Sequence, residues 1–267
     1  MASTPLASIG VSSNRHAVVV FSSTLAGRQF VVRTLAGDWE PTWTANARET
    51  VKRLRATGAS ALIVVPTRGV EMLFDALVSE IVRVAPLLTV VVVTPSSSDA
   101  SAGPLLATHE QITEGHSRSA ERLRDVLMRA DFAYRQARVG DRVSGAFPYA
   151  IQHIVRHAII CGGRSLSVPT FAGSVGLSDD ALRARVAKYA DTTLQELLLG
   201  GRLMAAATLL QSTMRTVERI ANELGFASPQ GLANQVRAYA GVTPTELRSW
   251  PDKESNPLVQ RFVDSIR

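Results

Sequence analysis

Residues 217–244 read VERIANELGFASPQGLANQVRAYAGVTP. Val217, Ile220, Ala221 and Leu224 recur at i, i+3, i+4 and i+7, the stripe of a helix with one buried face. Gly225 supplies the backbone freedom of a sharp C-terminal turn. Ser228 is placed to cap a second helix, with Pro229 at the first helical position, where a missing N–H costs nothing. Leu232, Val236 and Tyr239 form the inner face of that helix, Gly241 ends it, and Thr243-Pro244 opens another segment.

Two short helices joined in this way make a helix-turn-helix, whose second helix enters the DNA major groove. Ile220-Ala221, Leu224-Gly225-Phe226, Ser228, the run from Gly241 to Pro244, and Leu247-Arg248 resemble the second helix-turn-helix of the AraC/XylS family of bacterial transcription regulators. That resemblance implies a tandem arrangement: an earlier motif and a long connecting helix. Upstream, Ser167 caps a predicted helix beginning Val168-Pro169, with Phe171, Ala172 and Val175 inward. Gly176-Leu177 makes the turn, and Ser178 caps a helix whose inner residues are Leu182, Val186 and Tyr189. Residues 193–211 suit the connecting helix; Arg202-Leu203, Ala206 and Leu209-Leu210 resemble the family's signature there. Gly200-Gly201 interrupts it, and is expected to weaken the helix locally by roughly 1 kcal/mol per glycine. The resemblance covers residues 147–249.

On a docked second helix, the first turns and the outer face meet the bases. In the first motif these positions are Asp180, Arg183, Ala184 and Ala187; in the second they are Gln230, Gly231, Asn234 and Arg237. Arg183 suits guanine, and the amides of Gln230 and Asn234 suit adenine. Base contacts are expected from Arg183, Gln230, Asn234 and Arg237. Phosphate contacts are expected from Arg185, Arg215, Thr216 and Arg219. The family often carries bulky or basic residues where this chain has Ala184 and Gly231. Asp179 and Asp180 also open the first recognition helix, so base readout is expected chiefly from the second.

The N-terminal half alternates β-branched runs with amphipathic stretches. Strands are predicted at 17–21, 40–45, 61–65, 88–93 and 108–113, and helices near 25–36, 46–57, 70–85 and 117–132. The alternation implies an α/β doubly wound domain, and its size and strand order resemble the receiver domain of two-component response regulators. Phosphoryl transfer there would need an acidic pair after the first strand and an aspartate after the third. This chain has Ser22-Ser23 and Val65-Pro66-Thr67, and no lysine after the fifth strand, so neither metal nor aspartyl phosphorylation is expected. A small effector at Ser22, Ser23, Thr67, Arg68 and Thr94 is one alternative; a dimerisation or docking module without a ligand is another.

The predicted organisation is a disordered N-terminus (1–14), a receiver-like α/β domain (15–133), a linker (134–146), an all-α tandem helix-turn-helix domain (147–249) and a tail (250–267). Within the tail, Leu258, Val259, Phe262, Val263 and Ile266 suit a short amphipathic helix. The net charge of +6 and sequence pI near 10.1 favour a polyanionic partner, although the charge is spread along the chain.

Cys161 is the sole cysteine and lies in an apolar run, so it is read as a small core residue. His153 and His157 stand i, i+4 without a third ligand, and no catalytic constellation or phosphate loop occurs. No metal, cofactor or enzymatic activity is expected. No uninterrupted run approaches the ~18 apolar residues of a membrane helix, and no signal-like segment leads the chain, so a cytoplasmic location is expected. The expected partners are double-stranded DNA, a second copy of the chain in a homodimer, and RNA polymerase. The rival reading keeps the fold and makes it a protein–protein interaction module that has lost specific DNA readout.

Overall fold

The computed structural model describes residues 16–22, 25–37, 39–65, 80–81, 83, 85, 87–94, 109–113, 118–164, 166–250 and 256–265. They fall into two compact units, Met1–Val126 and Leu127–Arg267.

The first unit is built on β1 (His16–Ser22), α1 (Leu25–Leu35), β2 (Trp39–Thr44), α2 (Ala47–Thr57), β3 (Ala61–Val65), β4 (Thr89–Thr94) and β5 (His109–Thr113). The strands pair in parallel in the order β2-β1-β3-β4-β5, the doubly wound topology predicted from the alternation. Val18 to Val20, all of β3 and Val90 to Val93 are buried, because helices on both sides of a parallel sheet leave no wet face. Val19, Leu62, Val64, Val90 and Val92 share one face with Leu54 of α2 and Ile81. β2 has Pro41 inside it. It is an edge strand, where a missing N–H is tolerated. Thr44, at its end, bonds Thr50 Oγ1 at 2.7 Å and ties β2 to α2. The expected N-terminal disorder and most of the helix expected at 70–85 lie outside the described residues.

The long helix α3 runs Ser119–Ser144, and the boundary between the units falls inside it. The linker expected at 134–146 is therefore a correction: its residues are helical as far as Ser144. Gly140 falls inside that expected linker, and the residue it packs against, Arg156, is remote in sequence. A Cβ there would stand 3.3 Å from the Arg156 carbonyl, so the glycine marks a close helix crossing. Arg156 Nε also meets Asp141 Oδ1 at 2.5 Å across that crossing.

The second unit continues with α4 (Tyr149–Ile160), a 3-10 turn (Cys161–Gly163), α5 (Val168–Ser174), α6 (Asp179–Tyr189), α7 (Leu194–Ser212), α8 (Val217–Glu223), α9 (Pro229–Ala240), α10 (Pro244–Arg248) and α11 (Pro257–Ser265). One core joins them, from Val143 and Ile151 through Phe171, Leu182 and Leu203 to Ile220, Leu232 and Phe262. α7 is buried nearly all round from Leu203 to Ser212, as expected of a helix at the centre of a bundle.

Gly200 and Gly201 lie inside an unbroken α7 and have a packing role besides their cost in propensity. They let two neighbours approach. A Cβ on Gly200 would collide with the Phe262 ring, and one on Gly201 with the Ala158 carbonyl. A Cβ on Gly162 would in turn fall on the Gly201 carbonyl, so the 3-10 turn and α7 touch backbone to backbone. The tail helix is thus a structural part of this unit: Leu258 and Phe262 are fully buried, and Asn256 caps it through Oδ1 to the Val259 N–H at 3.0 Å.

Candidate nucleic-acid interface

Two helix pairs of the same design stand on either side of α7. In the first, Ser167 caps α5, the chain turns at Gly176, and Ser178 caps α6. In the second, Thr216 caps α8, the chain turns at Gly225, and Ser228 caps α9. Each hydroxyl accepts a hydrogen bond from an otherwise orphaned backbone N–H three residues on. Both turns have the same bonding. Leu177 N–H donates to Ala172 O and Gly176 N–H to Gly173 O; Phe226 N–H donates to Ala221 O and Gly225 N–H to Asn222 O. Gly176 and Gly225 sit at φ +70° and +71°, in the left-handed region that favours glycine. Phe171, Ala172, Leu182 and Val186, and then Ile220, Ala221, Leu224, Leu232 and Val236, are all buried. Val175, Tyr189, Val217 and Tyr239 are half-buried.

The inward set fixes the outward set. On α6, Asp180, Arg183, Ala184, Arg185 and Ala187 are exposed; on α9, Gln230, Asn234 and Arg237 are exposed and Gly231 is half-buried. Thr216 and Arg219, at the start of α8, are exposed as well. Several of these groups have partners that sequence spacing did not show. Arg183 Nη1 reaches Gln195 Oε1 at 3.5 Å. Gln230 Nε2 donates to Asn234 Oδ1 at 2.8 Å. Arg215 is the larger departure: its Nη1 holds both carboxylate oxygens of Glu223, at 2.7 and 2.6 Å, across α8. Its Nη1 is thus paired with a carboxylate inside the protein.

Arg248 takes a role not foreseen for it. Its Nη1 and Nη2 donate to the carbonyls of Thr213 and Arg215, at 2.6 and 2.5 Å, pinning the segment that leads into α8. Gln211 Nε2 donates to Leu247 O at 3.2 Å and fastens α10 to α7. Each bond from a charged donor contributes more than a neutral one, so Arg248→Ala is expected to cost about 2–3 kcal/mol in urea denaturation. Arg248→Lys, lacking the fork, is expected to recover only part of it.

Two capping boxes shape the electrostatics. Glu196 Oε2 accepts from the Thr193 N–H and from the Thr192 and Thr193 hydroxyls, each at 2.9 Å. Those bonds, the Thr193 N–H first, hold the Glu196 carboxyl below its ordinary value of 4.5. Glu246 at the start of α10 is lowered in the same way by the Thr243 N–H and hydroxyl, with Arg237 adding to it. A carboxylate lowered in the folded state stabilises it above the unfolded value, and that stability is lost as pH falls through the folded value. The melting-temperature gap between wild type and Glu196→Gln is therefore expected to be open at neutral pH and to close well below pH 4.5.

Cys161 is half-buried, with Sγ 3.5 Å from His157 Nε2, which lies 2.8 Å from Ser174 Oγ. Burial pushes the thiol up and the imidazole down, leaving both neutral at neutral pH. Among the described residues, no group of three or more His, Cys, Asp or Glu is placed to hold a metal, and no helix is long and apolar enough to cross a membrane.

In the first unit, Ser22 and Thr94 stand at the carboxyl ends of β1 and β4, and both are buried. Thr94 Oγ1 lies 3.5 Å from Ile112 O and 3.4 Å from Thr113 Oγ1. Arg28 Nη2 donates to the Ser22 carbonyl at 3.0 Å. Ser23, Thr67 and Arg68, the rest of the expected effector set, lie outside the described residues.

Residues 171–249 match the family model described as a helix-turn-helix domain. No curated protein matches the chain. Among solved structures, a transcriptional regulator with an AraC-type DNA-binding domain from Chromobacterium violaceum is 27% identical over 38% of this chain and 96% of its own, at TM-score 0.34. A CheY-like protein from Pseudomonas aeruginosa PAO1 is 21% identical over 43% of this chain and 99% of its own, at TM-score 0.36. The xylose-binding transcription activator XylR is 16% identical over 88% of this chain and 70% of its own, at TM-score 0.37.

Proposed function

We propose, starting from the AraC-type helix-turn-helix domain at residues 171–249, that the chain is a sequence-specific DNA-binding transcription regulator. The observation that carries this reading is the duplicated motif. Two equally capped, equally turned helix pairs flank a buried α7 and leave Arg183 and Arg185 exposed on α6, and Gln230, Asn234 and Arg237 exposed on α9. The two recognition helices enter successive major-groove segments, roughly 34 Å apart, and cationic side chains neutralise the intervening phosphates. Base contacts fall to Gln230, Asn234 and Arg237, with Arg183 on α6. Arg185, Arg219, the Thr216 hydroxyl and Arg215 hold the backbone. The receiver-like unit sets dimerisation or couples a signal without aspartyl phosphorylation, which is supported by Ser22 and Val65 ending the strands where carboxylates would be required. DNA, a second copy of the chain and RNA polymerase are its partners.

Selection from a random DNA library with the purified full chain tests the reading. It is expected to enrich a bipartite site with two conserved blocks about one helical turn apart. An unenriched library would favour the rival reading, an interaction module whose polar faces bind no bases.

A further inference from the structure

Glycines of the second unit differ in what requires them: Gly176, Gly225 and Gly241 take left-handed turns, and others answer to packing. At Gly162, Gly200 and Gly201 a side chain would strike a neighbour, so packing within the protein accounts for the residue. At Gly231, in the first turn of α9, a Cβ would meet only Ser228 Oγ, at 3.4 Å, an ordinary contact. Nothing inside the protein requires glycine there, although glycine lowers helix propensity. Gly231 sits between Gln230 and Asn234, the two exposed amides that hydrogen-bond each other at 2.8 Å. Gly231 and that pair lie within the first turns of the helix that meets DNA.

We propose that Gln230, Gly231 and Asn234 act as one unit that reads a single adenine in the major groove, Gln230 as reader, Asn234 as its positioning residue and Gly231 as the gap that admits the base edge. The proposal rests on base readout by α9 and reassigns Asn234, read above as a base contact, to holding Gln230 through its Oδ1. Adenine presents an N7 acceptor beside an N6 donor, and a Gln amide matches them with one N–H and its carbonyl oxygen. Gln230 Nε2 carries two hydrogens. One donates to Asn234 Oδ1, which fixes the amide plane; the second faces N7, while Oε1 accepts from N6–H. Asn234 therefore acts through its carbonyl, so an aspartate can replace it in orienting Gln230, and a leucine cannot. Without a Cβ at Gly231 the helix backbone approaches the base edge more closely.

The test compares full-length wild type, Gln230→Ala, Gly231→Ala, Asn234→Asp and Asn234→Leu on the selected site and on the same site with 7-deazaadenine, which lacks N7, at each adenine in turn. Wild type is expected to lose roughly tenfold in affinity at one adenine, the scale of a bidentate contact. Gln230→Ala and Asn234→Leu are expected to show no such loss there. Asn234→Asp is expected to bind all sites more weakly, through its added charge, and to keep the adenine step. Gly231→Ala is expected to bind the selected site less tightly while its melting temperature stays level or rises. The proposal is overturned if Asn234→Leu keeps the step, if Asn234→Asp exchanges adenine for cytosine, or if Gly231→Ala binds as wild type does. A wild-type protein that selects a site but shows no adenine step overturns the unit alone; one that selects no site removes base readout altogether.

Discussion

Phe262→Ala is expected to lower the stability of the C-terminal unit by about 3–5 kcal/mol, the range for emptying a buried aromatic site. The ring is fully buried and occupies the space that a side chain on Gly200 would fill. Truncation leaves a void whose floor is a glycine, so no neighbouring side chain there can relax into it. For a unit of this size the melting temperature should fall by roughly ten degrees or more. The pair also makes a prediction of sign. Gly200→Ala alone should destabilise, because the methyl group meets the ring. In the Phe262→Ala background the same change should stabilise, because the methyl fills vacated space and alanine favours helix by about 1 kcal/mol. A Phe262→Ala protein within 1 kcal/mol of wild type would mean that α11 does not dock in the glycine notch.

Gly201→Ala and Gly162→Ala are the second large effect. By helix propensity alone, Gly201→Ala should stabilise α7 by about 1 kcal/mol. The structure predicts the opposite. The added methyl on Gly201 meets the Ala158 carbonyl, and the one on Gly162 meets the Gly201 carbonyl. Both obstacles are backbone, which has no rotamer to change, so the 3-10 turn and α4 must move away from α7. Overpacking of this kind costs about 1–3 kcal/mol and sometimes more. A net loss of about 2 kcal/mol in urea denaturation is expected for each. A gain in Gly201→Ala would show that the close approach is absent.

These glycines also mark where the sequence stopped being legible. Signals that depend on neighbours along the chain were read well. Ser167, Ser178 and Ser228 cap the helices assigned to them, and Gly176 and Gly225 take the left-handed turns. The strands lie within about a residue of their expected positions; β1, β3 and β4 are runs buried on both faces, whose ends are abrupt. Signals that depend on a distant partner were not legible. Gly200 and Gly201 have a local cost that propensity records and a packing role that only Phe262 and Gly162 reveal. Gly140 looked like a linker glycine because Arg156, the neighbour that requires it, lies on the next helix. The candidate interface follows the same division. Helical period alone placed Arg183, Gln230, Asn234 and Arg237 outward. The bonds of Arg215 to Glu223 and of Arg248 to the Thr213 and Arg215 carbonyls link different segments, which no single-helix pattern encodes.

In the proposed function, the duplicated helix pairs bind specific DNA through phosphate neutralisation and base readout together. Fluorescence anisotropy of the full chain on its selected DNA and on a shuffled duplex, over a series of salt concentrations, measures both. Affinity for each duplex should fall linearly on a log–log salt plot, and the selected duplex should bind about a thousandfold more tightly or better at physiological salt. Equal affinity for the two duplexes, or binding indifferent to salt, would contradict the account.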